Sequence, residues 1–223
     1  MKRFALVVAG GLGTRMQGNL PKQFLELLGE PILAHTLRVF NQPGLALTVV
    51  MHSEYLGHWE SLRSSLKNLP DHTVVAGGAT RAISVLNGLN TFPDEGLVAV
   101  HDAVRPLCSN GLVDMAYEAA LIHGSAIPAI PCRDTLRELT NDGSITVPRD
   151  RFRAVQTPQV FDMASLKKAF RQPGFEQFTD EASLFEADGN KIYLIPGEDG
   201  NLKITVPSDL AMAAALLSDR KTS

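Results

Sequence analysis

The feature that most constrains this chain is a repeated exchange between two hydrophobic periods. Continuous apolar runs of strand length stand at residues 4–9, 46–51, 97–100, 125–130 and 192–195. Between several of them the spacing becomes helical, at Ile32, Leu33, Thr36, Leu37 and Phe40, then Ile83, Leu86 and Leu89, then Leu112, Met115, Ala116, Ala119 and Ala120. An unbroken apolar run suits a strand covered on both faces, and an i, i+3, i+4 stripe suits a helix lying on such a sheet. The alternation predicts an α/β protein with a doubly wound, mostly parallel sheet. In that architecture ligands bind beyond the carboxyl ends of the strands. The positions to watch are therefore the Gly10 loop, Gly77-Gly78, His101-Asp102 and the polar segment after Ile195.

Residues 132–153 do not fit that alternation. They alternate loosely, lack a helical stripe and carry Asn141-Asp142-Gly143 in their middle, which predicts an extended β-hairpin arm with an Asp-Gly turn. A hairpin with so little apolar surface is marginal alone, so the arm is expected to rest on a second subunit or on the domain body. The rest is expected to form a single domain over 1–223, with the arm at about 132–153.

A net charge of −3 argues against a nucleic-acid binder, which must neutralise many phosphates. No apolar run approaches the roughly 20 residues that span a bilayer. The opening MKRFALVVAGG has a short apolar run that leads straight into GGLGTR, without a cleavage pattern, and reads as a first strand rather than a signal peptide. Cys108 and Cys132 form neither a disulfide framework nor a metal spacing. They are expected to be inert, in a reducing cytoplasm.

The strongest local signal is AGGLGTRM, residues 9–16, directly after the first strand. Glycines there let backbone N–H groups close on phosphate oxygens. A Walker A loop needs GxxxxGK[ST], which is absent, and the dinucleotide fingerprint fails because Gly11-Leu12-Gly13-Thr14-Arg15-Met16 ends in Met. What remains is GGxGTR followed by Pro21-Lys22, two cations beside a phosphate-cradling loop. That suits attack on a nucleoside triphosphate, where charge accumulates on the α-phosphorus oxygens and on the departing pyrophosphate. The pattern resembles the sugar-nucleotide pyrophosphorylase superfamily.

Further along stand HDAVRP (101–106), CRDTLRE (132–138), VQTPQVF (155–161), TDEASLFE (179–186) and NLKITVPSDL (201–210). In this order, with the first loop, they closely resemble the 2-C-methyl-D-erythritol 4-phosphate cytidylyltransferase family of the non-mevalonate isoprenoid pathway. The resemblance implies a Rossmann-like nucleotidyltransferase fold that dimerises through the arm. It implies a reaction of CTP with methylerythritol phosphate, assisted by Mg²⁺. It also implies that Arg15 and Lys22 stabilise the pentacoordinate phosphorus, with backbone contacts to the triphosphate at Ala9, Gly10, Gly11 and Gly13. Gly78 and Ser84 fall where the family grips cytosine and ribose. Asp102 and Ala103 fall near ribose and phosphates, with Asp102 as a metal ligand, and Arg105 matches a substrate-phosphate contact. Arg149 and Lys203 match residues that position the acceptor, Arg149 from the partner subunit, with Thr135, Thr157 and Thr179 as further contacts.

Residue chemistry agrees with such a reaction. An attacking phosphate monoester has a second pKa of about 6, so no general base is needed. Catalysis then consists of positioning and charge neutralisation, which Arg and Lys supply. Ala79 stands where many members are acidic, and Gly200 where many carry Asp. Thr179-Asp180-Glu181 also reads as a helix N-cap, Lys203 stands in a strand-like LKIT segment, and Arg149, Arg151 and Arg153 alternate as a solvated row would. Ribitol 5-phosphate cytidylyltransferases share much of the first loop and of HDAVRP. A nucleotide-binding regulator without turnover is the remaining alternative.

Overall fold

The computed structural model describes residues 1–10 and 20–222, apart from the side chains of residues 221 and 222. The chain opens with β1 (Arg3–Ala9), and a ribbon of β2 (Glu26–Leu27) and β3 (Glu30–Pro31) leads into α1 (Ile32–Val39). Then come β4 (Leu45–Met51), α2 (Leu56–Arg63), β5 (Thr73–Ala76), α3 (Arg81–Leu89), β6 (Leu97–Asp102), α4 (Asn110–His123) and β7 (Ser125–Pro131). The hairpin β8 (Leu136–Thr140) and β9 (Gly143–Val147) follows, then β10 (Arg153–Val155), β11 (Gln159–Asp162), α5 (Met163–Ala169), α6 (Glu181–Ala187), β12 (Leu194–Pro196) and α7 (Pro207–Thr222).

The main sheet runs β10-β7-β11-β6-β1-β4-β5, with β12 also paired to β7. Strand β1 is parallel to β4 and β6, and β4 to β5, whereas β11 is antiparallel to both β6 and β7. The expected mostly parallel α/β sheet is therefore present, with the chain returning from the arm as two antiparallel strands, β10 and β11, one on either side of β7.

Alternate residues of β1 face opposite layers, as the pleat requires. Ala5, Val7 and Ala9 pack with Leu33 and Leu37 of α1, Trp59 of α2 and Tyr117 of α4. Phe4 and Leu6 pack with Val85 of α3, Leu166 of α5 and Phe185 of α6. All of β6 is buried, which explains its unbroken apolar run. The third cluster joins Leu27, Ile32, Val104 and Ile204 to Ala213 of α7. Helix α3 lies so close to the sheet that a Cβ on Gly88 would sit 2.3 Å from Leu6 Cδ1, which fixes where its N-terminus opens.

The chain runs outward from β1 through β4 to β5 and returns to β6 on the other side of β1. This reversal opens a crevice at the carboxyl ends of β1 and β6.

Three local expectations are corrected. The cap of α6 is Asp180, whose carboxylate accepts from the Ser183 N–H at 3.1 Å, and not Thr179. Asp is as good a cap as Thr, and Glu181 is drawn away into the core. Residues around Lys203 are irregular rather than a strand, tied to the body by Ile204 N–H donating to the Val104 carbonyl at 2.9 Å. Strand β12 begins at Leu194 rather than Ile192.

Candidate active site

The switch-point crevice holds a cavity of about 360 Å³. Its lining includes Ala9 at the end of β1 and Gly10 after it, Lys22, Gly78 and Ser84 around the start of α3, Asp102 and Ala103 at the end of β6, and Lys203. Residues scattered over nearly 200 positions of sequence thus meet because four separate loops end at the same sheet edge. Arg15, Gly11 and Gly13 lie outside the described residues.

Asp102 is the electrostatic centre. Its Oδ2 accepts from Lys203 Nζ at 2.9 Å and from Arg105 Nε at 3.2 Å. Burial acts against its charge, but Lys203 and Arg105 outweigh burial and hold the carboxyl at about 2, so Asp102 is an anion throughout the neutral range. Oδ1 makes no hydrogen bond to any described residue. A hard divalent cation that keeps most of its waters and takes phosphate oxygens needs few protein ligands. One ionised carboxylate with an oxygen to spare fits it.

Beneath Asp102 runs a chain of hydrogen bonds. The Asp102 N–H donates to Thr157 Oγ1 at 3.1 Å, the Thr157 hydroxyl reaches His101 Nδ1 at 3.1 Å, and His101 Nε2 meets the Arg105 carbonyl at 3.1 Å. Nε2 therefore donates to the carbonyl, and a neutral His101 that accepts the Thr157 hydroxyl at Nδ1 satisfies the whole chain. Burial presses its pKa down to about 4, against the pull of the Arg105 carbonyl and of Asp102. Arg105 Nη1 donates to the Asn201 carbonyl at 2.8 Å, and Asn201 Nδ2 donates to the Thr157 carbonyl at 2.8 Å.

A pH dependence follows from this arrangement. The folded pKa of His101 lies below its unfolded value of about 6.5, so its neutral form favours folding above that pH. That contribution is lost as pH falls from about 6.5 through about 4. Urea midpoints should decline across this window by the equivalent of about 3 kcal/mol, and His101→Gln should flatten the decline. A midpoint of the unaltered chain that stays level from neutral pH down to the folded pKa would contradict it.

The expected residues divide into groups. Lys22, Gly10, Gly78, Ser84, Asp102, Ala103 and Lys203 line one cavity. Arg105 and Thr157 lie below it, with their polar atoms given to Asp102, Asn201 and His101. The Ser84 hydroxyl accepts from the Gly78 N–H at 3.0 Å and donates to the Thr80 carbonyl at 2.9 Å, so it shapes the loop. A Cβ on Gly78 would meet Ile83 Cγ2 at 2.1 Å. Thr135 and Thr179 are exposed, and Arg149 is exposed at the base of the arm, where it donates to the Arg133 carbonyl. None of these three lines the cavity.

Sequence reasoning passed over Arg81, which lines the cavity and forms a two-pronged salt bridge to Glu181. The signal was available: Arg81 opens a helix, where a cation opposes the helix dipole and calls for a compensating partner.

Among the described lining residues there is no Cys or His, and the hydroxyls of Thr80 and Ser84 are engaged with backbone groups. A doubly wound sheet that gathers cations rather than a nucleophile at its switch point defines a Rossmann-like nucleotidyltransferase. Comparison with known proteins narrows the class. The family model for 2-C-methyl-D-erythritol 4-phosphate cytidylyltransferase (IspD) matches residues 4–219, and the chain belongs to that family. A relative of that name from Porphyromonas gingivalis is 44% identical over 218 residues, covering 97% of this chain and 98% of its own. Another from Bacteroides thetaiotaomicron is 43% identical over 219 residues, covering 97% of this chain and 100% of its own. The crystal structure of the Thermus thermophilus protein of the same name superposes with a TM-score of 0.81 at 34% identity, covering 98% of this chain and all of that one. Among the described residues, no helix is long and apolar enough to cross a membrane.

Proposed function

We propose that this chain transfers the cytidylyl group of CTP to 2-C-methyl-D-erythritol 4-phosphate, forming 4-diphosphocytidyl-2-C-methyl-D-erythritol and pyrophosphate. An oxygen of the acceptor's phosphate attacks the α-phosphorus in line. A new P–O–P bond forms as the bond from the α-phosphorus to the bridging oxygen breaks, and pyrophosphate leaves with the electron pair. The attacking phosphate is already largely deprotonated at neutral pH, so the protein moves no proton.

The observation that carries this reading is the concentration of Lys22, Arg81 and Lys203 around one cavity beside ionised Asp102, in a chain whose net charge is −3. Lys22 and Arg15 neutralise the phosphorus oxygens as charge grows there. Backbone groups of Ala9, Gly10, Gly11 and Gly13 hold the triphosphate, Gly78 and Ala103 bound the nucleoside, and Lys203 positions the acceptor phosphate. Ser84, Thr157 and Arg105 act as supports, through the Gly78 loop and through Asp102. Asp102 would hold Mg²⁺, which supplies further charge neutralisation to the triphosphate when bound.

The chain works as a homodimer in which Arg149 and Thr135 of the arm serve the partner's site, with Thr179 on the acceptor side. Free Cys108 and Cys132 suit a reducing cytoplasm.

Pyrophosphate release tests the reaction. With CTP and Mg²⁺, methylerythritol phosphate is expected to give turnover and ribitol 5-phosphate none. A signal with ribitol phosphate alone would reassign the acceptor. No signal with either would leave a nucleotide-binding regulator.

A further inference from the structure

Arg81 and Glu181 are 100 residues apart, yet each occupies the first position of its helix, α3 and α6. Arg81 Nη2 donates to Glu181 Oε2 at 2.9 Å, and Nη1 donates to Oε1. The glutamate side chain is 2% exposed and the arginine 31%. Burial pushes the Glu181 carboxyl upward, with the Arg81 charge acting in the opposite direction.

Stability alone gives little reason for this pair. A buried ion pair contributes little compared with apolar side chains of the same volume. A cation at a helix N-terminus also opposes the helix dipole. The pair does fix the direction of the guanidinium. Its two terminal nitrogens are anchored on Glu181, and among the described residues Arg81 makes no other hydrogen bond, while it lines the cavity. An arginine fork has five N–H donors, so those not aimed at Glu181 are left for a ligand. The anchor is itself braced. Asp180, the cap of α6, accepts from Gln159 Nε2 at 3.2 Å, and Gln159 Oε1 accepts from the Ala182 N–H at 3.2 Å.

We propose that Arg81 is a further nucleotide-binding residue, donating from the unanchored part of its guanidinium to the bound nucleoside triphosphate, and that Glu181 is the positioning residue that aims it. The inference rests on the CTP-dependent reading of the same cavity and adds a contact to it. Arg81 approaches from the α3 side, next to Gly78 and Thr80. The nucleotide is thus gripped from the wall that carries neither the first glycine loop nor Lys203.

The test uses the full chain with Arg81→Gln, Arg81→Lys and Glu181→Gln. CTP affinity is measured by calorimetry, KM for each substrate by pyrophosphate release, and folding by thermal melting. Arg81→Gln should weaken CTP binding and raise its KM about 10- to 100-fold, the range for losing a hydrogen bond to a charged group. KM for methylerythritol phosphate should stay unchanged. Arg81→Lys should recover only part of the loss, because an ammonium cannot be held by one edge and donate from another. Glu181→Gln should raise the CTP KM by a smaller factor, since the cation remains but loses its anchor. If Arg81→Gln fails to fold, Arg81→Lys and Glu181→Gln decide. An unchanged CTP KM in folded variants, or a parallel rise in both KM values, would overturn the inference and mark the pair as structural. If the unaltered chain binds no CTP, the proposed function falls, and this inference with it.

Discussion

Replacing Lys203 by Met is expected to lower kcat about a thousandfold, the order seen when a positioned charge is removed from a developing phosphoryl or oxyanion charge. The melting temperature should move by no more than about 4 °C, because a partly exposed ion pair contributes at most about 1 kcal/mol. The two effects separate because of where Lys203 stands. Its side chain is 43% exposed and, among the described residues, bonds one carboxylate oxygen, which Arg105 also holds from below. Without Lys203, Asp102 keeps Arg105 as a partner and its pKa rises toward the ordinary range, since the lysine's charge and hydrogen bond both lower it. The cavity keeps its shape and loses the most exposed cation among its described lining residues. Steady-state kinetics with CTP and methylerythritol phosphate, beside thermal melts of the same preparations, make the comparison. A fall in kcat below about tenfold would remove Lys203 from the chemistry, and a collapse of the melt would make it a structural residue.

The central strands were legible because burial on both faces leaves no choice but a continuous apolar run: residues 4–9 and 97–100 fall within β1 and β6. Strands β5 and β11 were not. The residues of β5 are exposed or half-buried at the sheet edge, and β11 is a four-residue strand directly after Pro158. Site residues that belong to a motif, such as Lys22 and Asp102, could be found from the text, as could the glycines that admit a backbone. Arg81 was marked only by its place at a helix start, because its meaning depends on Glu181, a contact made only when α3 and α6 come together. The division of labour among Arg105, Thr157 and Ser84 was also invisible. Spacing reports that a hydroxyl or guanidinium is near the site, but only packing reveals that its donors are already committed.

Arg149 carries the other large effect, and which chain's site it serves appears when two different chains are mixed. Its guanidinium does not line its own cavity, and it stands exposed at the base of an arm whose β8–β9 ribbon, among the described residues, forms a separate two-stranded sheet. Leu139 and Ile145 on that ribbon are 84% and 53% exposed, apolar surface that an isolated hairpin would leave in water. If the arm serves a partner, each active site contains Lys203 from one chain and Arg149 from the other. A Lys203→Met chain and an Arg149→Ala chain, each nearly inactive alone, should then regain activity after unfolding together and refolding. In a statistical mixture half of the dimers are mixed, and one of their two sites is whole. The recovery should therefore approach about one quarter of the unaltered activity in a two-fold symmetric dimer. Sedimentation or a differential tag verifies that mixed dimers form. Verified mixed dimers with no more activity than either parent would show that Arg149 acts on its own chain or not at all, and the arm would then be a docking element without a part in the chemistry.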